Sequence, residues 1–188
     1  MSFACETPRN GAGAAFALAL QGQLPVLATD RLILRSPRVT DFDAYAGIAC
    51  TDRGRFFGGP MTREDAWADF ASMTGGWLLH GHGLWTIGGA DGVLGFVLLG
   101  FEPGDAEPEL GFMLCEHAEG RGIAFEAASA ARDHAFDTLG WDTLVSYVDH
   151  GNARAIALAG RLGAVPDGEI TGPDGETSLV FRHQREAR

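Results

Sequence analysis

Two apolar runs near the middle of this 188-residue chain, residues 84–88 and 93–101, are separated by little more than Ala90-Asp91-Gly92. A connection that short cannot carry a helix back across a sheet, so the runs predict an antiparallel hairpin. A third run, residues 109–115, follows the acidic, proline-bearing loop 102–108, again with no room for a crossover helix. Three meandering strands exclude a doubly wound parallel sheet, in which helices join successive strands.

The flanks are different. Leu32-Ile33-Leu34 reads as a short strand ended by Ser36-Pro37. Thr40 or Asp41 can cap a helix to about Cys50, and residues 52–60 form a glycine-bearing loop. Thr62-Arg63-Glu64-Asp65 is close to a capping box; it opens a second helix predicted to end at Gly75-Gly76, with Trp67, Phe70 and Met73 on its core side. After the meander, Gly120-Arg121-Gly122-Ile123-Ala124 opens a helix to about residue 139. A strand at 143–148, a helix at 152–162 and a hairpin of 165–170 with 177–182 across Pro173-Asp174-Gly175 complete the chain. The predicted fold is a mixed α/β domain of α+β type over residues 24–188, preceded by an extension, residues 1–23, expected to be flexible.

Composition narrows the function. Fourteen basic against 25 acidic side chains give a net charge of −11, which argues against nucleic acid or an anionic membrane as main partner. It suits a cationic partner, or simple solubility. Cys5, Cys50 and Cys115 are scattered and form no CxxC pair, so neither a disulfide framework nor a metal site is expected, and a reducing, cytoplasmic setting is. Residues 11–20, GAGAAFALAL, resemble the apolar core of an export leader, but Glu6 and the single Arg9 argue against that reading. A monomer and a homodimer are both compatible with the sequence.

The densest chemical signal is the 120–124 loop between a strand and a helix. Helix-leading N–H groups have no internal partner and carry the positive dipole end, and the glycines let a phosphate approach them. Glu116, Glu119 and Glu126 lie nearby against one cation, Arg121, so anion binding here rests on backbone dipoles rather than net charge. The glycines of a tight turn and the packing of Ala124, Ala128, Ala131 and Ala135 would explain the same residues without a ligand. Asn152, heading the next helix, is equally an ordinary N-cap.

Taken together, Leu27 to Arg35 (LATDRLILR), Glu109-Leu110-Gly111-Phe112, Gly120 to Ala127 (GRGIAFEA), Asp149-His150-Gly151-Asn152 and Arg161-Leu162-Gly163-Ala164 resemble the GNAT acetyltransferase superfamily. The likeness is greatest to the ribosomal-protein alanine N-acetyltransferase branch and spans about residues 24–183. The resemblance implies a mostly antiparallel sheet splayed between two parallel strands, 109–115 and 143–148, with helices on both faces and acetyl-CoA bound in the opening. The family's loop, Gln/Arg-x-x-Gly-x-Gly/Ala, falls on Glu119 to Ala124, so the diphosphate would meet Gly120, Arg121, Gly122, Ile123 and Ala124; Glu119 departs from the pattern. The pantetheine arm would lie along Leu114 and Cys115, with Asn152 on its other side.

The reaction so implied is direct attack of a primary amine, of a protein N-terminus or a small molecule, on the thioester, with no metal. A lysine-like amine gives up about 4–5 kcal/mol to be neutral at pH 7, an α-amino group only about 1 kcal/mol. Glu109 is the first candidate base, against the plain reading of a solvated strand-end acid. Tyr147 is a candidate proton donor to the leaving thiolate, against ordinary packing. His80 and His82 are candidates to line the acceptor cleft. Ala155 stands where relatives often carry a serine, and Gly160 where a glutamate is common. These departures keep open an alternative, a non-catalytic acyl-CoA-binding or sensing module.

Overall fold

The computed structural model describes residues 3–102, 104–172 and 175–185. Its strands are β1 (Leu27–Ala28), β2 (Ile33–Arg35), β3 (Leu84–Gly89), β4 (Gly92–Gly100), β5 (Glu109–Leu114), β6 (Val145–Asp149), β7 (Val165–Thr171) and β8 (Thr177–Arg182). They form one sheet in the order β1-β2-β3-β4-β5-β6-β8-β7. Every neighbouring pair is antiparallel except β5 with β6. The mixed α/β sheet is as the sequence predicts, and its one central parallel pair is as the family resemblance implies. Of the final turn, Pro173 and Asp174 lie outside the described residues; β7 and β8 on either side of it are paired.

The helices are α1 (Ala12–Gln21), α2 (Phe42–Ala49), α3 (Arg63–Leu79), α4 (Ile123–Asp137) and α5 (Ala153–Arg161). One face of the sheet packs Phe96, Leu98 and Met113 against Phe42, Tyr45 and Phe70 of α2 and α3. The other packs Val97, Leu99 and Leu110 against α4 and Leu158 of α5. No helix among the described residues is long and apolar enough to cross a membrane.

Helix α3 corrects one expectation. It does not stop at Gly75-Gly76 but continues to Leu79. Two glycines weaken a helix by about 1 kcal/mol each, yet Trp77 beyond them is buried, 4.6 Å from the Trp85 ring, and donates through Nε1 to the Leu84 carbonyl at 2.8 Å. Gly76 is needed for contact: a Cβ there would stand 2.8 Å from the His82 carbonyl oxygen. Burial of the indole outweighs the propensity loss. Within the first 23 residues, α1 buries none of its side chains. Ahead of it, Glu6 grips Arg63 at the head of α3, at 2.7–3.0 Å.

Candidate functional site

Strands β5 and β6 meet at a single register pair, Glu109 with Val145, and the Val145 N–H donates to the Pro108 carbonyl at 2.9 Å. One residue later the ladder ends. The Leu110 carbonyl accepts from Ser146 Oγ at 2.6 Å, where a continuing ladder would use a backbone amide. His183 Nε2 lies 3.0 Å from the same hydroxyl; because the hydroxyl's proton goes to Leu110, the imidazole nitrogen is the donor. Beyond this root the strands part. The Cys115 N–H turns to β4, bonding the Leu94 carbonyl at 2.9 Å, so by alternation Phe112 and Leu114 present their backbone groups to the fork. An extended ligand arm can pair with such an open edge.

At the far end of β5 lies the 119–124 loop. Gly120 and Gly122 have φ of 70° and 77°, the left-handed region. A Cβ on Gly120 would meet nothing within 4 Å, so conformation, not space, requires glycine there. None of the N–H groups from Gly120 to Ala124 has a backbone acceptor among the described residues. They form a row of donors at the positive end of α4. Ala127, Ala128, Ala131 and Ala135 are fully buried, which lets α4 lie close on the sheet.

Three carboxylates around this loop are paired. Arg31 binds Glu126 at 2.5 Å and the Arg121 carbonyl at 3.0 Å. Burial raises the Glu126 pKa, but hydrogen bonds from Thr29 and Arg31 outweigh it and hold the carboxyl below its usual range. Arg121 turns to Asp91 at 3.0 Å. Glu119 takes Arg154 at 2.7 Å and also Arg53, whose guanidinium lies 3.4 Å from the Leu114 carbonyl.

The other side of the fork root differs. Glu109 is only partly buried as a residue, but its carboxyl is enclosed. Burial pushes its pKa up to about 8, with Glu102 and Asp105 adding to the rise and the Tyr147 backbone N–H opposing it. Glu102 is pushed up to about 7 by burial, then by Asp69 and Asp105. Burial also raises Asp69, which accepts from the Tyr45 hydroxyl at 2.5 Å, and Asp105. None of these four carboxyls has a cationic partner among the described residues. Nor do they form a metal site: among the described residues no group of three or more His, Cys, Asp or Glu is placed to hold an ion.

The residues singled out in the sequence fall at several places. Glu109 stands at the root of the fork; Leu114, Cys115 and the 120–124 loop line β5 and the head of α4. The Tyr147 hydroxyl accepts from the Glu107 N–H at 3.2 Å, and burial, with Asp105 nearby, raises its pKa. Burial likewise raises the Cys115 thiol, with Arg53 opposing. Asn152 caps α5, its Oδ1 accepting the Ala155 N–H at 3.1 Å, which leaves its amide nitrogen available. Ala155 packs on the small apolar cluster of Val148 and Ala159. His82 is absorbed by the core, with Nδ1 3.0 Å from the Leu99 carbonyl and its ring 5.1 Å from Trp141; His80 stacks beside it. The sequence reading missed Arg53, Arg154 and Asp69. Glu102 and Asp105 could have been suspected from the acidic loop leading into β5.

Comparison with known proteins agrees with this geometry. The family model of the acetyltransferase (GNAT) domain matches residues 31–165. The solved acetyltransferase from Agrobacterium tumefaciens strain C58 is 38% identical, covers 87% of this chain and 96% of its own, and superposes with a TM-score of 0.80. A GNAT-family acetyltransferase from Bacillus anthracis is similar at 16% identity, with coverage of 84% and 96% and a TM-score of 0.69. The ribosomal L7/L12 alpha-N-protein acetyltransferase, solved in complex with coenzyme A, is similar at 15% identity, with coverage of 85% and 97% and a TM-score of 0.69. At such identities the last two show a shared fold.

Proposed function

The chain belongs to the GNAT acetyltransferase family and is an acyltransferase, and from that premise we propose that it moves the acetyl group of acetyl-CoA to a primary amine, with Glu109 as the base. The observation that carries the reading is the enclosed Glu109 carboxyl at the root of the fork, held among acids that have no cationic partner among the described residues.

The donor row from Gly120 to Ala124 receives the diphosphate, the β5 edge at Leu114 pairs with the pantetheine arm with Cys115 beside it, and the Asn152 amide nitrogen reaches it from α5. Acetyl-CoA, when bound, supplies an acyl carbon already activated as a thioester. An ammonium entering beside Glu102, Asp105 and Glu109 favours their charged forms and lowers their pKa values. Glu109 then takes the amine's proton, the nitrogen lone pair forms the C–N bond, and the C–S bond breaks with its electrons on sulfur. Tyr147 is the proton donor to the departing thiolate; its raised pKa keeps the phenol protonated.

Acceptor class follows from the cost of neutralising the amine. At pH 7 an α-amino group gives up about 1 kcal/mol to lose its proton, and a lysine amine about 4–5 kcal/mol. An α-amino acceptor therefore fits best, the class named for the L7/L12 enzyme of similar fold. Ala155 in apolar packing favours the second reading, an acyl-CoA-binding module without turnover.

The test is amine-dependent thiol release from acetyl-CoA between pH 6 and 9.5. The wild-type rate should rise with pH as the amine and Glu109 lose their protons. Glu109→Gln should lose about 100- to 1,000-fold in rate, with acetyl-CoA affinity kept and only the limb that belongs to the amine left. An unchanged rate in the variant would remove Glu109 from the role.

A further inference from the structure

Glu119 directly precedes the donor row of the 120–124 loop, and two guanidinium groups from separate elements hold its carboxylate. Arg53 comes from the short turn Asp52–Phe56, and Arg154 from the first turn of α5. The Arg154 contact does not serve the core: the side chain is 82% exposed, and an ion pair so open contributes little to folding. Arg53 is committed differently. Its guanidinium also reaches the outward carbonyl of Leu114, on the strand edge that the proposed arm would occupy. Its Nε is buried without a partner among the described residues. The remaining cations at the loop, Arg31 and Arg121, are engaged by Glu126 and Asp91.

Resting on the acetyl-CoA reading above, we propose that the Arg53–Glu119–Arg154 triad is an internal stand-in for the cofactor's diphosphate: the incoming anion displaces the Glu119 carboxylate, and Arg53 and Arg154 become phosphate ligands. A phosphate presents the same paired oxygens to a guanidinium as a carboxylate does, so the exchange conserves the hydrogen bonds. The displaced carboxylate, already one-third exposed, turns to water. The sequence departure at this position then sets cofactor affinity, lowering it by the competition, rather than disabling the loop.

The experiment is calorimetric titration of the full chain with CoA and with acetyl-pantetheine, which has the arm but no diphosphate. Glu119→Gln should bind CoA about 5-fold or more tightly than wild type, with acetyl-pantetheine unchanged within about twofold. Arg154→Ala, at an exposed position that spares the fold, should weaken CoA binding more in the Glu119→Gln background than in wild type. Unchanged or weaker CoA binding by Glu119→Gln, while wild type binds, would overturn the competition and leave the acetyl-CoA reading standing. An equal gain with acetyl-pantetheine would overturn it too, because the diphosphate would not be the competitor. Absence of CoA binding in folded wild type and both variants would remove the acetyl-CoA reading and the competition with it.

Discussion

The two sides of the β5–β6 fork treat charge in opposite ways. Around the 119–124 loop three carboxylates meet guanidinium groups: Glu126 with Arg31, Asp91 with Arg121, and Glu119 with Arg53 and Arg154. Around Glu109 the carboxyls of Asp69, Glu102 and Asp105 have no cationic partner among the described residues, and their pKa values rise together. A paired site can exchange one anion for another at little cost. An unpaired, enclosed acid cluster is destabilised in its charged form until a cation enters. The contrast suits a bisubstrate enzyme whose proposed donor is an anion and whose proposed acceptor is a cation.

Changes confined to one side should leave the other unmoved. The largest effect is expected on the acid side, where Glu102→Gln with Asp105→Asn should raise the amine KM about 10- to 100-fold, as loss of charge-assisted contacts worth about 1.5–3 kcal/mol implies. Acetyl-CoA affinity should stay within about twofold, and a matching loss there would break the comparison. On the loop side, Gly122→Ala places a Cβ at φ 77° at a cost of about 1–2 kcal/mol. CoA affinity should fall about 10-fold with the amine KM unchanged, as initial rates against each substrate would show.

A third effect is on stability. A folded pKa near 8 for Glu109, against an ordinary value of 4.5, means that the folded state holds the proton longer. That contribution is fully present below about pH 4.5 and is lost as the pH rises through 8. Glu109→Gln should therefore melt with wild type near pH 4.5 and increasingly above it as the pH rises to 8.5. A melting difference independent of pH would place the carboxyl in water.

What could be read from the sequence was what neighbouring residues decide. The turn between β3 and β4, the capped start of α3, where Thr62 Oγ1 accepts the Asp65 N–H at 3.1 Å, and the glycine loop heading α4 all declare themselves within a few positions. The end of α3 did not, because the close approach of the His82 carbonyl to Gly76 is a tertiary fact. The charge balance of the loop was misjudged for the same reason. Glu119 and Glu126 looked like uncompensated anions, but their partners Arg53 and Arg31 stand 66 and 95 positions away. The acid cluster is drawn from α3, the 102–108 loop and β5, so no local spacing marks it. Glu109 was accessible only through the family resemblance, and its enclosed carboxyl only through the fold.

The most direct measurement combines wild-type protein with acetyl-CoA and three acceptors: none, a primary α-amine, and the alcohol of the same shape. Free thiol and product mass are followed together at pH 8. The account predicts thiol release with the amine alone, matched by an acetylated amine. Acetyl-CoA binding seen as a raised melting temperature, with thiol release identical in all three samples, would contradict it.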